Sequence, residues 1–208
     1  MTVALQLRAH LRAMPLVAIL RGLDPEQALA VGQVLVDSGF RALEVPLNRP
    51  GALQCIDILA RHLPPGVLVG GGTVLTVDDV QAVHAAGGRL VVSPHCDARV
   101  IARSVALDML SAPGVATPTE AFTALQAGAH ALKLFPSDMV GHAGLKALKS
   151  VLPADTDMWP VGGITPESMA GWLAAGATGF GIGSQLYAPG MSVEAVRRKA
   201  QHYVQAFS

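Results

Sequence analysis

Eight times along the chain a short apolar run gives way to a longer stretch patterned like a helix. The runs lie at residues 16–20, 42–45, 67–71, 90–93, 109–112, 131–134, 158–161 and 179–182, and each closes on Gly, Pro or a polar residue. Runs this short and this continuously apolar read as parallel strands covered on both faces. The stretches between them carry helix signals. Asp24-Pro25-Glu26 and Thr165-Pro166-Glu167 each supply a capping side chain, a proline for the first helical position and an early acid. Thr117-Pro118-Thr119-Glu120 adds the glutamate of a capping box. Gly39, Gly87, Gly128 and Gly176 stand where helices should end in a left-handed residue.

Eight strand–helix units predict a TIM (β/α)8 barrel, a single domain over residues 1–208. Residues 3–13 predict an extra N-terminal helix at the bottom of the barrel. An open doubly wound sheet also alternates strand and helix, but it calls for a glycine fingerprint in the first strand–helix turn. That turn reads Leu20-Arg21-Gly22-Leu23-Asp24 and has none. No linker, repeat or charge run divides the chain.

Composition narrows the function. Charged residues are 14% of the chain, 15 basic against 15 acidic, too balanced for a protein that neutralises nucleic-acid phosphates. Mean hydropathy is +0.43, yet Arg, Asp, Gly or Pro interrupts every apolar stretch before the ~18 residues of a transmembrane helix. The start, MTVALQLRAHLRAMP, lacks the continuous apolar core of a signal peptide. Cys55 and Cys96 cannot make a disulfide framework, so the expected location is the cytoplasm. Seven His show no metal-ligand spacing, and no metal is expected.

With charge so rare, the charged strand ends stand out, because a barrel keeps its chemistry there. Of the four lysines, Lys146 and Lys149 share a pattern of an exposed helix face and Lys199 sits in a polar run. Only Lys133 interrupts an apolar strand, Ala131-Leu132-Lys133-Leu134-Phe135-Pro136. A buried ammonium needs a partner, a shifted pKa or a function. It is either half of an ion pair closing the barrel or an amine able to attack a carbonyl. Glu44 interrupts Ala42-Leu43-Glu44-Val45-Pro46 in the same way, and is either that partner or a proton shuttle. Arg21, ending the first strand, is a fixed cation for an anionic substrate or a partner for Glu44 or Asp24. Thr73 follows three glycines that either let backbone approach a ligand or simply turn the chain.

The last two strands run into Val161-Gly162-Gly163-Ile164-Thr165 and Gly181-Ile182-Gly183-Ser184-Gln185. Loops after strands seven and eight of this fold often take a phosphate on backbone N–H groups; glycine at barrel corners is the plainer explanation. His95 can line the pocket or bond locally, Cys96 reads as an ordinary thiol, and Asp138 reads as a helix cap. Trp159, Trp172, Tyr187 and the methionines read as core or interface filling.

Taken together, these segments resemble the bacterial 2-keto-3-deoxy-6-phosphogluconate / 6-phosphogalactonate aldolases over nearly the whole chain. The motifs that carry the resemblance are Val17-Ala18-Ile19-Leu20-Arg21-Gly22, Glu44-Val45-Pro46-Leu47-Asn48, Gly70-Gly71-Gly72-Thr73-Val74-Leu75, Ala131-Leu132-Lys133-Leu134-Phe135-Pro136 and Val161-Gly162-Gly163-Ile164-Thr165-Pro166. The resemblance implies a class I aldolase, usually a homotrimer, that cleaves a phosphorylated 2-keto-3-deoxy sugar acid to pyruvate and glyceraldehyde 3-phosphate without a cofactor. It implies a Schiff base at Lys133 and a proton relay at Glu44. It implies that Arg21 and Thr73 hold the carboxylate region and that Gly162, Gly163, Gly183 and Ser184 hold the phosphate. Gluconate-type members carry Thr-Leu-Arg-Thr after the glutamate and Thr before the Gly-Gly pair. Pro46-Leu47-Asn48-Arg49 and Val161 stand there instead, which resembles the galactonate type, whereas His95 stands where a small residue is expected. The rival readings are a phosphosugar isomerase or epimerase and a barrel that binds sugar phosphate without turnover.

Overall fold

In the computed structural model, residue 9 and residues 11–207 are described. The chain alternates β1 (Leu16–Ile19), α1 (Pro25–Asp37), β2 (Ala42–Pro46), α2 (Ala52–His62), β3 (Leu68–Gly72), α3 (Val77–Ala85), β4 (Leu90–Val92) and α4 (Ala98–Ala106). It continues through β5 (Leu110–Ala112), β6 (Gly114–Val115), α5 (Pro118–Gln126), β7 (Leu132–Leu134), α6 (Ser137–Val151), β8 (Met158–Pro160), α7 (Pro166–Ala174), β9 (Phe180–Ile182) and α8 (Val193–Phe207). All pairings are parallel. One sheet runs β5-β4-β3-β2-β1-β9 and a smaller one runs β6-β7-β8. The result is an α/β fold with a parallel half-barrel sheet.

Each expected strand is present within a residue or two of its expected ends. The difference follows the fifth, where a further two-residue strand, β6, begins after Pro113 and pairs in the other sheet; Pro113 itself cannot donate to a ladder. Backbone contacts link the sheets at both ends. Ala131 N, just before β7, donates to Ser111 O of β5 at 3.3 Å, and Val161 forms an isolated parallel bridge with Gly181. Of the expected N-terminal helix, Ala9 and residues 11–13 are helical and the remainder lies outside the described residues. Arg12 there donates to Asp157 Oδ2 at 3.1 and 3.2 Å.

The helices begin and end where the local chemistry demands. Asp24 Oδ1 accepts from Glu26 N, and Thr117 and Thr165 close capping boxes with Glu120 and Ser168. Gly39, Gly87, Gly128 and Gly176 follow their helices with φ between 84 and 114°, a region open to glycine and costly to others.

Alternation along the strands sorts the core into two clusters. Outward side chains such as Leu16, Ala18, Leu43, Val45, Leu132 and Leu134 pack under the helices. Inward ones, among them Val17, Ala42, Leu68, Leu90, Ala131 and Trp159, form a separate apolar cluster with Leu11 at its end. Side chains two residues apart on a strand share a face. Continuing the inward face toward the C-terminal ends therefore reaches Ile19 from Val17, Glu44 from Ala42, Gly70 and Gly72 from Leu68, Lys133 from Ala131 and Val161 from Trp159.

Candidate active site

Glu44 and Lys133 are the charges this inner face brings together. They are 2% and 7% exposed, among apolar side chains. Burial pushes the Glu44 carboxyl up to about 7, against the opposing pull of Lys133 and then Arg21. Burial lowers the Lys133 ammonium from its ordinary value, opposed by Glu44 and assisted by Arg21. Each group is thus displaced toward its neutral form, since desolvation penalises charge. Lys133 Nζ lies 4.6 Å from the centre of the Phe135 ring. Glu44 Oε2 is buried without a hydrogen-bond partner among the described residues. An orphan acceptor at this depth normally needs a partner from water or ligand.

Room for the carboxylate comes from the glycine strand. A Cβ on Gly72 would stand 1.8 Å from Glu44 Oε2, and one on Gly70 would stand 1.9 Å from the Leu90 carbonyl oxygen. Any side chain at either place would displace the acid or the neighbouring strand. Thr73, next in sequence, has φ +52°, a conformation that a β-branched residue adopts only under constraint.

A cavity of about 270 Å³ opens beside this pair. Ile19, Arg21, Phe135, Val161 and the loops Gly162–163 and 183–185 line it, closed on one side by Tyr187, Ala188 and Pro189. The expected residues Arg21, Gly162, Gly163, Gly183 and Ser184 therefore line one cavity. Glu44, Lys133 and Thr73 do not line it. Phe135 connects Lys133 to it, since its ring lines the cavity and lies 4.6 Å from Lys133 Nζ.

Two contributors were missed in the sequence. Phe135 is two residues beyond Lys133 and so shares its face, a signal that strand periodicity contained. Ser137, buried, donates from Oγ to Gly162 O at 2.8 Å and from its backbone N to Val161 O at 3.1 Å. It pins the glycine loop to the start of α6, a long-range contact with no local signature. Tyr187, read as core filling, is buried and also lines the cavity. Cys55 and Cys96 donate to Leu23 O and Glu120 O, and burial raises both thiols, Cys55 to about 11. Neither is a ready nucleophile. His95 keeps Nδ1 buried without a hydrogen bond among the described residues, and it lines no part of this cavity. Among the described residues no group of His, Cys, Asp or Glu is arranged to hold a metal ion, and no helix is long and apolar enough to cross a membrane.

Residues 7–200 match the family described as KDPG and KHG aldolase. The chain belongs to that family. It is 47% identical over 194 residues to the 2-dehydro-3-deoxy-6-phosphogalactonate aldolase of Escherichia coli strain K12, covering 93% of this chain and 95% of that protein. It is 45% identical over 186 residues to the probable 2-dehydro-3-deoxy-6-phosphogalactonate aldolase of Rhizobium meliloti strain 1021, covering 89% and 88%. The solved structure described as native KDPGal superposes with a TM-score of 0.91 at 47% identity, covering 93% of this chain and 94% of that one.

The Glu44 shift makes the fold itself sensitive to pH. An unfolded carboxyl titrates near 4.5 and the folded one at about 7. Between those values the folded state holds a proton that the unfolded state has lost. The contribution therefore favours folding below about pH 4.5 and is lost as pH rises through 7. Urea denaturation of wild type and Glu44→Gln across that window should show the wild type losing stability relative to the variant. Parallel curves would mean that the carboxyl is not shifted.

Proposed function

We propose that the chain is a Schiff-base aldolase that cleaves 2-dehydro-3-deoxy-6-phosphogalactonate to pyruvate and D-glyceraldehyde 3-phosphate. The observation that carries this reading is the buried amine and carboxyl on one inner face, each displaced toward neutrality, beside a cavity walled by glycine loops. A structural ion pair would be held charged; a neutral lysine is a nucleophile.

In this mechanism neutral Lys133 Nζ attacks carbon 2 of the keto acid to give a carbinolamine. Glu44 in its acid form protonates the departing hydroxyl, water leaves and an iminium ion remains. The Glu44 carboxylate then takes the proton of the carbon-4 hydroxyl as the bond between carbons 3 and 4 breaks. The bonding electrons pass into the iminium, leaving an enamine and free glyceraldehyde 3-phosphate. Glu44 returns a proton to carbon 3, water adds to the new iminium, and pyruvate departs with Lys133 restored. The iminium is the electron sink, so the chemistry calls for no metal or organic cofactor. Arg21 and Thr73 would hold the substrate carboxylate, and backbone groups of Gly162, Gly163 and Gly183 with Ser184 would hold the phosphate.

The reading extends to the architecture. The two sheets would form one closed eight-stranded barrel, with β5 and β6 as a single proline-interrupted strand and the Val161–Gly181 bridge as the other seam. Family membership supports assembly as a homotrimer. A crystal structure is expected to show both seams hydrogen-bonded and three copies about an axis; an open seam or a monomer would overturn the corresponding part.

Sodium borohydride added with pyruvate should inactivate the protein and leave one reduced pyruvyl group on Lys133 by peptide mapping. Labelling of Lys146 or Lys149 instead, or none, would leave the Schiff base without support. An epimerase or a binding barrel would trap nothing.

Val161 stands in the cavity wall beside the glycine pair. A valine cannot demand a hydrogen bond from a substrate hydroxyl, whereas a threonine can. The wild type should turn over the galactonate substrate at least as well as the gluconate epimer. Val161→Thr should shift kcat/KM toward the gluconate epimer by roughly 1–3 kcal/mol. A wild type that strongly prefers gluconate would refute the epimer assignment and leave the aldolase in place.

A further inference from the structure

Asp138 read as a helix cap in the sequence, but the structure gives it another position. Pro136 is the cap residue of α6, and no side-chain hydrogen bond closes that end. The Asp138 carboxylate instead lies against Gly163. Its Oδ1 and Oδ2 stand 2.9 and 3.3 Å from the point a Cβ on that glycine would occupy. The placement is fixed through the preceding residue, because Ser137 bonds both Val161 O and Gly162 O. The carboxylate has no ion pair or hydrogen bond among the described residues. The helix behind it does little to offset its charge. Gly141, with φ 68° and ψ 175°, breaks α6 just after its first turn, so few peptide dipoles align behind Asp138.

An unpaired carboxylate is therefore held against a loop that lines the cavity. We infer that Asp138 is a specificity-determining residue that weakens anion binding at the Gly162–163 loop, lowering the preference of the site for phosphate over a neutral terminal hydroxyl. The inference rests on the reading of these glycines as the phosphate site. A fixed negative charge raises the energy of a phosphate dianion nearby and leaves a hydroxyl almost unaffected. Because Asp138 is exposed, water and salt screen the repulsion, so the effect is modest and sensitive to ionic strength. Its consequence is easier release of triose phosphate and a smaller penalty for unphosphorylated 2-keto-3-deoxy sugar acids.

The test is the isosteric variant Asp138→Asn. Inorganic phosphate is titrated against wild type and variant and followed by NMR, at low salt and at about 0.5 M salt. The variant should bind phosphate about two- to fivefold more tightly at low salt, and the difference should vanish at high salt. In turnover, KM for the phosphorylated keto acid should fall in the variant while KM for its unphosphorylated counterpart stays. Equal or weaker phosphate binding by the variant at low salt overturns the inference, as does the absence of phosphate binding in both proteins. None of these outcomes touches the Schiff base, whose failure would appear only as the absence of borohydride trapping.

Discussion

The arrangement depends on taking one amine and one carboxyl out of water together. Either alone would be costly at this depth, and their mutual attraction does not fully restore what hydration gave each. The remaining penalty moves both groups toward their neutral forms, Glu44 to about 7 and Lys133 downward. Near neutrality a proton can then reside on Glu44 or leave it at little cost, as the proposed relay requires. The apolar layer beneath, from Val17 to Trp159, keeps the local dielectric low. The glycines of β3 are the steric counterpart, since Gly72 leaves the space that the carboxylate fills.

Around that pair the fold divides its labour by strand face. Outward side chains bind the helices and tolerate exchange among apolar residues of similar volume. Inward side chains grade from an apolar floor to a charged upper level to a rim of glycine backbone. The rim is held by side chains that never line the cavity. Ser137 is one of these, fixing the carbonyl of Gly162 and thereby the direction in which the loop's N–H groups point. A substitution there would disturb the site without removing any group that meets a ligand.

Much of this was legible before any coordinates. The positions of the strands, the capping box at Thr117, the cap at Thr165 and the glycine helix stops are written in local chemistry, and local chemistry decides them. Lys133 and Glu44 announced themselves because charge is scarce in the chain and both interrupt apolar strands. The strand after Pro113 is only two residues long and carried too little pattern to be read. Lys149, expected on an exposed face, is half-buried and donates to Ala154 O and Thr156 O. That contact, like those of Ser137 with Gly162 and of Asp138 with Gly163, depends on how distant segments dock. A pattern of residues along one segment does not encode the partner it will meet, and Asp138 at a helix start looks like any other cap.

The pairing of β1 with β9 orders events in time as well as in space. Leu16 and Phe180 are register partners, so β1, once made on the ribosome, has no second neighbour until β9 is made. Until then its outer edge offers unpaired backbone groups, the kind of edge that invites association with other chains. The glycine loop after β9 arrives in the same late segment. A nascent chain thus gains the last wall of its cavity only as it covers its exposed edge, and contacts of such long sequence separation form slowly. Synthesis ending short of β9 would leave an adhesive half-sheet in which Lys133 and Glu44 are present but the far wall is missing.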